Sequence, residues 1–351
     1  MRRQERSGLY RKRARMQRYV AAALAAAVLA LATTTQRAAA YLPAPLAQLN
    51  HEARKLAARL PAPSALDVLD LSTGYQAGFN ASASMPAAST IKIPVMVEVF
   101  RQMEGGRFDL QHGVTLRSAD KDYGSGDLCD APVGSSYSVA DLVEKMIDVS
   151  DNTATNMLIR LVGRRNINRS MNELGLERTR LADDIRTGGW QVRRELRTSP
   201  SDLVHLLALM AQRRLIDEWS SNAMIAVLEQ DQFNTLLPEP LPDDVPIAHK
   251  TGSFFDTLND AGIVYASGAP YVIAVMTTAL PSQDLGRVFI HSISRLAYAD
   301  EVRLAHWREA SGLSFPQALG KPAGISPDVR YWSGGSGSDE LLGGGSGGGR
   351  R

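Results

Sequence analysis

Residues 87–100 read AASTIKIPVMVEVF, and the rest of the chain is read outward from them. Ser89 stands at the head of an apolar run of helical length. Lys92, three residues on, falls on the same face one turn later, with its amine within reach of the Ser89 hydroxyl. A serine at such a position ordinarily caps a helix. The S-x-x-K spacing is also common by chance, and the chain holds a second instance, Ser118-Ala119-Asp120-Lys121, in a polar stretch with no periodic apolar partners. Two more triplets lift Ser89 out of that ordinary reading. Ser150-Asp151-Asn152 lies between the helical patterns VADLVEKMIDV and TATNMLIRLVG, where a connecting loop presents side chains to a cleft while Asp151 caps the second helix. Lys250-Thr251-Gly252 follows at the end of strand-forming sequence, with Gly252 allowing a ligand to approach the backbone closely.

On either side of this region the periodicity changes. Leu46, Leu49, Ala53, Leu56 and Leu60 recur at helical spacing and predict an amphipathic helix. LDVLDL (66–71), the turn Ser72-Thr73-Gly74 and YQAGFN (75–80) predict a hairpin. Residues 87–230 are mostly helical in pattern, with caps at Ser138 and at Ser199 followed by Pro200. VPIAH (245–249), AGIVYA (261–266) and YVIAVMTT (271–278) read as strands, and a last amphipathic helix as 283–297. Strands thus come from both ends and helices fill the middle, an α+β arrangement. It predicts one antiparallel sheet built from both chain ends, with a helical subdomain at about 95–240 inserted into a single domain spanning 41–330.

The ends differ from the body. Nine of the 39 Lys and Arg and one of the 37 acids fall within residues 1–40, leaving a body with a net charge of −6. An acidic body is not a nucleic-acid surface. The basic start precedes thirteen apolar residues, VAAALAAAVLALA (20–32), and the small residues Ala38-Ala39-Ala40. That order predicts a cleavable secretory signal over 1–40. As a helix the apolar run covers roughly 20 Å, short of a membrane span. The product is expected in the periplasm or secreted, with no membrane span after cleavage. The single cysteine, Cys129, allows no internal disulfide, and without a neighbouring His it is a poor nucleophile candidate. Residues 331–351 are Gly/Ser-rich and predict a flexible tail. The six histidines make neither an H-x-H nor an H-E-x-x-H pattern, so no metal or other cofactor is expected.

Taken together, the three triplets, the AAST lead-in (87–90), the Gly124-Ser125-Gly126 loop and the Thr198-Ser199-Pro200 helix start resemble the penicillin-recognising serine hydrolases, and among them the class A β-lactamase-like group. The resemblance spans about residues 44–300 and implies the β-lactamase/DD-peptidase-like fold with a five-stranded antiparallel sheet. It implies Ser89 as nucleophile, Lys92 as its base, Ser150 in proton transfer to the leaving nitrogen, and Lys250 as positive charge at the acylation centre. Asn152 and Thr251 would bind substrate, and the backbone N–H groups of Ser89 and Ser253 would form the oxyanion hole.

Two departures stand out. The class A group carries a glutamate that resolves the acyl-enzyme, in an E-x-x-x-N pattern, whereas LADDIRTGGWQVRRELRTSP (181–200) has none. Asp183 and Asp184 are the candidate replacements, and Glu195, among Arg193, Arg194 and Arg197, reads as a surface ion-pair partner. Asp260 stands where many relatives place an arginine near the substrate carboxylate, which predicts weaker binding of that anion. His249, beside Lys250, is a candidate for tuning the site. The leading expectation is a monomeric exported enzyme that acylates Ser89 with a β-lactam and hydrolyses it. The alternatives are a penicillin-binding or D-Ala-D-Ala peptidase-like enzyme with slow deacylation, favoured by the missing glutamate, and a non-catalytic domain that binds cell-wall peptide.

Overall fold

The computed structural model describes residues 43–187, 196–315 and 318–322; the leader and tail read above, and Arg193, Arg194 and Glu195, lie outside the described residues. Helix α1 (Ala44–Arg59) follows Pro43 and buries Leu46, Leu49 and Ala53, while Leu56 and Leu60 are only partly covered. A 16-residue helix is marginal by itself in water, so this docked stripe holds it. Strands β1 (Ser64–Asp70) and β2 (Gln76–Phe79) form the expected hairpin, paired from Leu66–Phe79 to Leu69–Gln76. The other three strands of the sheet are β3 (Ile247–Phe254), β4 (Thr257–Val264) and β5 (Tyr271–Thr277). The order is β2-β1-β5-β4-β3, antiparallel throughout.

Two boundaries differ from the sequence reading. Lys250-Thr251-Gly252 sits inside β3 rather than at its end, and β4 starts four residues before Ala261. In both cases polar residues hold buried partners, so they continue the strand instead of closing it. The last helix, α8 (Gln283–Ser311), runs fourteen residues past Ala297. Asp300 and Glu301 are buried in that extension, which hides its apolar stripe, and Gly312 at φ +66° ends it.

Between the strand sets come α2 (Lys92–Glu104), α3 (Val139–Asp148), α4 (Asn152–Val162), α5 (Arg164–Glu173), α6 (Pro200–Ala211) and α7 (Glu218–Leu228). The anticipated caps are present: Ser138 Oγ accepts from Asp141 N at 3.0 Å, and Ser199 Oγ from Asp202 N at 3.2 Å. Sheet residues alternate between two cores. Ala248, Ala261, Ile263 and Met276 face the helices α2–α7, whereas Leu66, Val264, Ile273 and Val275 face α1 and α8. Every residue of α2 from Lys92 to Phe100 is buried, the mark of a helix surrounded by protein on all sides. The helix that follows Ser89 is therefore the axis of the helical core.

One acid in the sheet makes stability depend on pH. Asp67 of β1 is buried and accepts from Gln76 Nε2 at 2.5 Å; burial pushes its carboxyl up to about 7, opposed by that hydrogen bond. Its folded pKa lies above the roughly 3.9 of an unfolded aspartate. The folded state keeps a proton that the unfolded state releases, so the contribution is full below about pH 4 and is lost as pH rises through about 7. Asp67→Asn keeps the acceptor for Gln76 and should remove this slope. Urea unfolding at pH 5 and pH 8 is expected to show the variant gaining on the parent by a few kcal/mol, to order of magnitude, at the higher pH. An equal difference at both pH values would contradict it.

Candidate active site

Ser89 lies in a short 3₁₀ turn, Ala88–Ile91, and the α-helix starts only at Lys92. Ala88 holds φ +47°, an uncommon conformation for a residue with a side chain. The turn is clamped from several directions. Ala87 N donates to Leu196 O at 2.9 Å, Thr90 Oγ1 to Ala87 O at 2.7 Å, and Asn259 Nδ2 to Pro86 O and Ala87 O at 2.9 and 3.1 Å. Gly252 of β3 completes the clamp. A Cβ there would come within about 3.0–3.1 Å of Ala87 O and of Thr90, so the glycine serves the close approach of strand to turn, not of a ligand to the strand as its motif suggested.

Lys92 reaches across to the Ser150-Asp151-Asn152 loop. Its ammonium donates to Ser150 O at 2.5 Å, to Asn152 Oδ1 at 2.8 Å and to Ser150 Oγ at 3.0 Å. Those three bonds use all three N–H groups of the charged form. Burial first, and the nearby Lys250 ammonium second, push the Lys92 pKa well below the ordinary lysine range, against the pull of Asp151, Asp122 and Asp231. Loss of one proton leaves a lone pair beside the Ser150 hydroxyl, the state a base requires. Ser150 is held at φ +56°, and the next residue caps α4: Asp151 Oδ1 accepts from Ala154 N at 2.7 Å and Oδ2 from Leu128 N at 2.9 Å.

Lys250 is fully buried and pairs with Asp231 Oδ2 at 2.8 Å. The same oxygen accepts from Thr251 N at 3.0 Å. On the outer side Lys250 Nζ lies 5.6 Å from the Phe233 ring centroid, a cation–π distance. Ser89, Ser150, Asn152, Thr251 and Ser253 line one cleft of about 410 Å³. The structure thus brings together the seven residues proposed from sequence for acylation and substrate binding, with Lys92 and Lys250 buried behind the lining.

The deacylation candidates are not brought there. Asp183 is exposed and pairs with Arg164 at 3.0 Å, and Asp184 is half-buried and pairs with Arg186 at 3.3 Å. The residue of that loop that enters the cleft is Ile185, held by two bonds to Asn156: Ile185 N donates to Oδ1 at 2.8 Å, and Nδ2 donates to Ile185 O at 3.0 Å. The chain direction that buries Ile185 turns both neighbouring carboxylates outward.

Asp260 is also placed differently from the expectation. Its side chain accepts from Leu237 N at 3.0 Å and meets His249 Nδ1 at 3.0 Å. Burial alone would lower the His249 pKa, but the Asp260 carboxylate raises it. The acid is held by His249 and is not among the residues that line the cleft. Cys129 is buried, and burial pushes its thiol pKa up, consistent with an unreactive thiol. Among the described residues no group of His, Cys, Asp or Glu could hold a metal ion.

Two residues that no motif announced complete the site. Asp231 neutralises Lys250. Asp122, buried below the Gly124 loop, accepts from Thr187 N at 2.7 Å, Thr187 Oγ1 at 2.8 Å, Asn152 Nδ2 at 2.8 Å and Gly124 N at 3.0 Å. Burial would raise its pKa, but these donors bring it below the ordinary aspartate value. The Asp122 carboxylate latches the Ile185–Thr187 segment to Asn152, and Gly124 has no room for a Cβ against the Thr187 side chain.

The structure called PBP-A superposes with a TM-score of 0.69 at 31% identity, covering 74% of this chain and 97% of that one. A β-lactamase from Sphaerobacter thermophilus gives 0.67 at 29% identity, covering 75% and 99%. A Streptomyces fradiae β-lactamase is 29% identical over 246 residues, 65% of this chain and 78% of its own length. The description of the β-lactamase enzyme family matches residues 48–300, the span that contains the sheet, the helical core and the cleft, and the chain belongs to that family.

Proposed function

We propose that this protein is an exported serine enzyme that opens β-lactam amides by acylating Ser89, with hydrolysis of the acyl-enzyme as its slow step. The observation that carries this reading is the buried Lys92 and its three bonds to Ser150 and Asn152. Neutral Lys92 takes the Ser89 hydroxyl proton as Oγ attacks the lactam carbonyl carbon. The oxyanion forms between the backbone N–H groups of Ser89 and Ser253. When the C–N bond breaks, Ser150 Oγ gives its proton to the ring nitrogen and recovers one from the Lys92 ammonium along their 3.0 Å contact. Lys250 supports the developing negative charge, Asn152 and Thr251 hold the substrate's polar groups, and hydrolysis of the ester would free Ser89.

The penicillin-binding or peptidase-like reading keeps a specific observation in its favour: Ile185, an apolar side chain, occupies the cleft while Asp183 and Asp184 are tied to arginines outside it. Activating water for deacylation asks for a carboxylate within hydrogen-bond reach. A solved neighbour, the L158E mutant of PBP-A, is described as an acyl-enzyme complex with penicillin G, which shows that a related fold holds such an adduct. The non-catalytic binding reading has no comparable observation behind it.

Three outcomes are expected. Purified protein incubated with a penicillin and a chromogenic cephalosporin should gain the mass of one ring-opened molecule, with turnover slower than adduct formation, and Ser89→Ala should show neither; absence of an adduct with the parent would refute the acylation. Ile185→Glu should shorten the adduct lifetime by roughly tenfold or more, as a positioned general base does, read by intact mass after removal of excess penicillin; an unchanged lifetime would show that the missing carboxylate is not the limit. Asp122→Asn removes a carboxylate that raises the Lys92 pKa, so the acid limb of the acylation rate should move to lower pH. A uniform loss across pH would instead mark Asp122 as a structural latch only.

A further inference from the structure

A cavity larger than the Ser89 cleft opens at the other end of β3. It encloses about 710 Å³, against about 410 Å³ for the cleft, and falls within the size range of small-molecule sites. Pro246, Tyr265 and Pro270 line it; they stand just before β3, just after β4 and just before β5. The cleft residues Thr251 and Ser253 belong to the second half of β3, so roughly 20 Å of strand separates the two spaces at about 3.4 Å per residue. Arg308 of α8 and Leu313, just beyond that helix, line the cavity as well.

Two polar atoms of these lining residues are left without a partner. The Tyr265 hydroxyl and Arg308 Nη1 are buried and make no hydrogen bond among the described residues. Such atoms cost stability, and a native fold that keeps them calls for a reason. Both are donors. Tyr265 is only 8% exposed, and burial pushes its phenol up, so it keeps its proton; a guanidinium has no acceptor at all. Arg308 is anchored through its other arm, Nη2, which donates to Gly268 O at 2.6 Å. Glu301 lies near Arg308, but burial and Asp70 hold its carboxyl well above the usual range, so it stays protonated and leaves the guanidinium charge in place. The second cation of the lining, Lys321, is already paired with Glu229 at 3.0 Å, and Glu309, exposed, adds a negative charge to the wall. One guanidinium facing one opposing carboxylate suits a singly charged acceptor better than a phosphate dianion.

We propose that this cavity is a second binding site, for a small monocarboxylate with an apolar body, whose oxygens accept from Arg308 Nη1 and the Tyr265 hydroxyl while its chain lies against Pro246, Pro270 and Leu313. The two unpaired donors are then explained by the ligand that satisfies them. The site is separate from the chemistry at Ser89 and would be occupied whether or not Ser89 is acylated.

Octanoate serves as the probe and octan-1-ol as its uncharged counterpart, with binding to the purified protein followed by titration calorimetry and by melting temperature. Octanoate should bind saturably at one site, about tenfold or more tighter than octan-1-ol. Tyr265→Phe removes only an unpaired hydroxyl, so the melting temperature without probe should be equal or higher, while the dissociation constant for octanoate rises about tenfold. Arg308→Met should raise that constant at least as much. No binding to the parent, equal binding of octan-1-ol, or an unchanged dissociation constant in Tyr265→Phe would overturn the inference.

Discussion

A lysine without access to water sits at the junction of the two halves of this molecule. Lys92 begins the helix at the centre of the helical core, and its amine ends among the acceptors of Ser150 and Asn152. Burying an ammonium is costly unless it is well partnered or loses its proton. Both solutions are built in here, since three acceptors receive the charged form and burial with Lys250 nearby favours the neutral one. The left-handed backbone at Ser150, the cap at Asp151 and the latch at Asp122 all serve to keep those acceptors in place.

A second buried cation, Lys250, is handled differently. Asp231 accepts from it directly, whereas the acceptors of Lys92 are a carbonyl, a hydroxyl and a side-chain amide, and burial with Lys250 nearby pushes Lys92 toward giving up its proton. Two lysines behind one cleft are thereby set in different surroundings by their partners and not by their residue type. Asp260 is likewise held by a partner, His249 of the neighbouring strand, whose Nδ1 lies 3.0 Å from it.

These pairings also explain what could be read in the sequence. Ser89, Lys92, Ser150, Asn152 and Lys250 were legible because each belongs to a short local motif, and the hairpin and α1 because their apolar periodicity is clean. Asp122 and Asp231 come from loops with no periodic pattern, and their roles exist only through residues 30 and 19 positions away. The lengths of β3, β4 and α8 were underread for a related reason. Lys250, Asn259, Asp260, Asp300 and Glu301 are all buried, and a buried polar residue at a core position looks in the sequence like the end of an element. Asp183 and Asp184 differ from expectation in direction: the backbone of their loop brings Ile185 to the cleft and pairs both acids with arginines.

The pairing of β1 with β5 joins residues 64–70 to residues 271–277, and it governs when the protein can fold. Such contacts across some two hundred residues carry a large loop-closure cost and form late. The Ser89 turn is clamped by Asn259 and by Gly252, on strands that reach β1 only through β5. During synthesis the nucleophile is therefore made early and positioned last, after nearly the whole body has emerged. A partly made chain therefore has no assembled cleft.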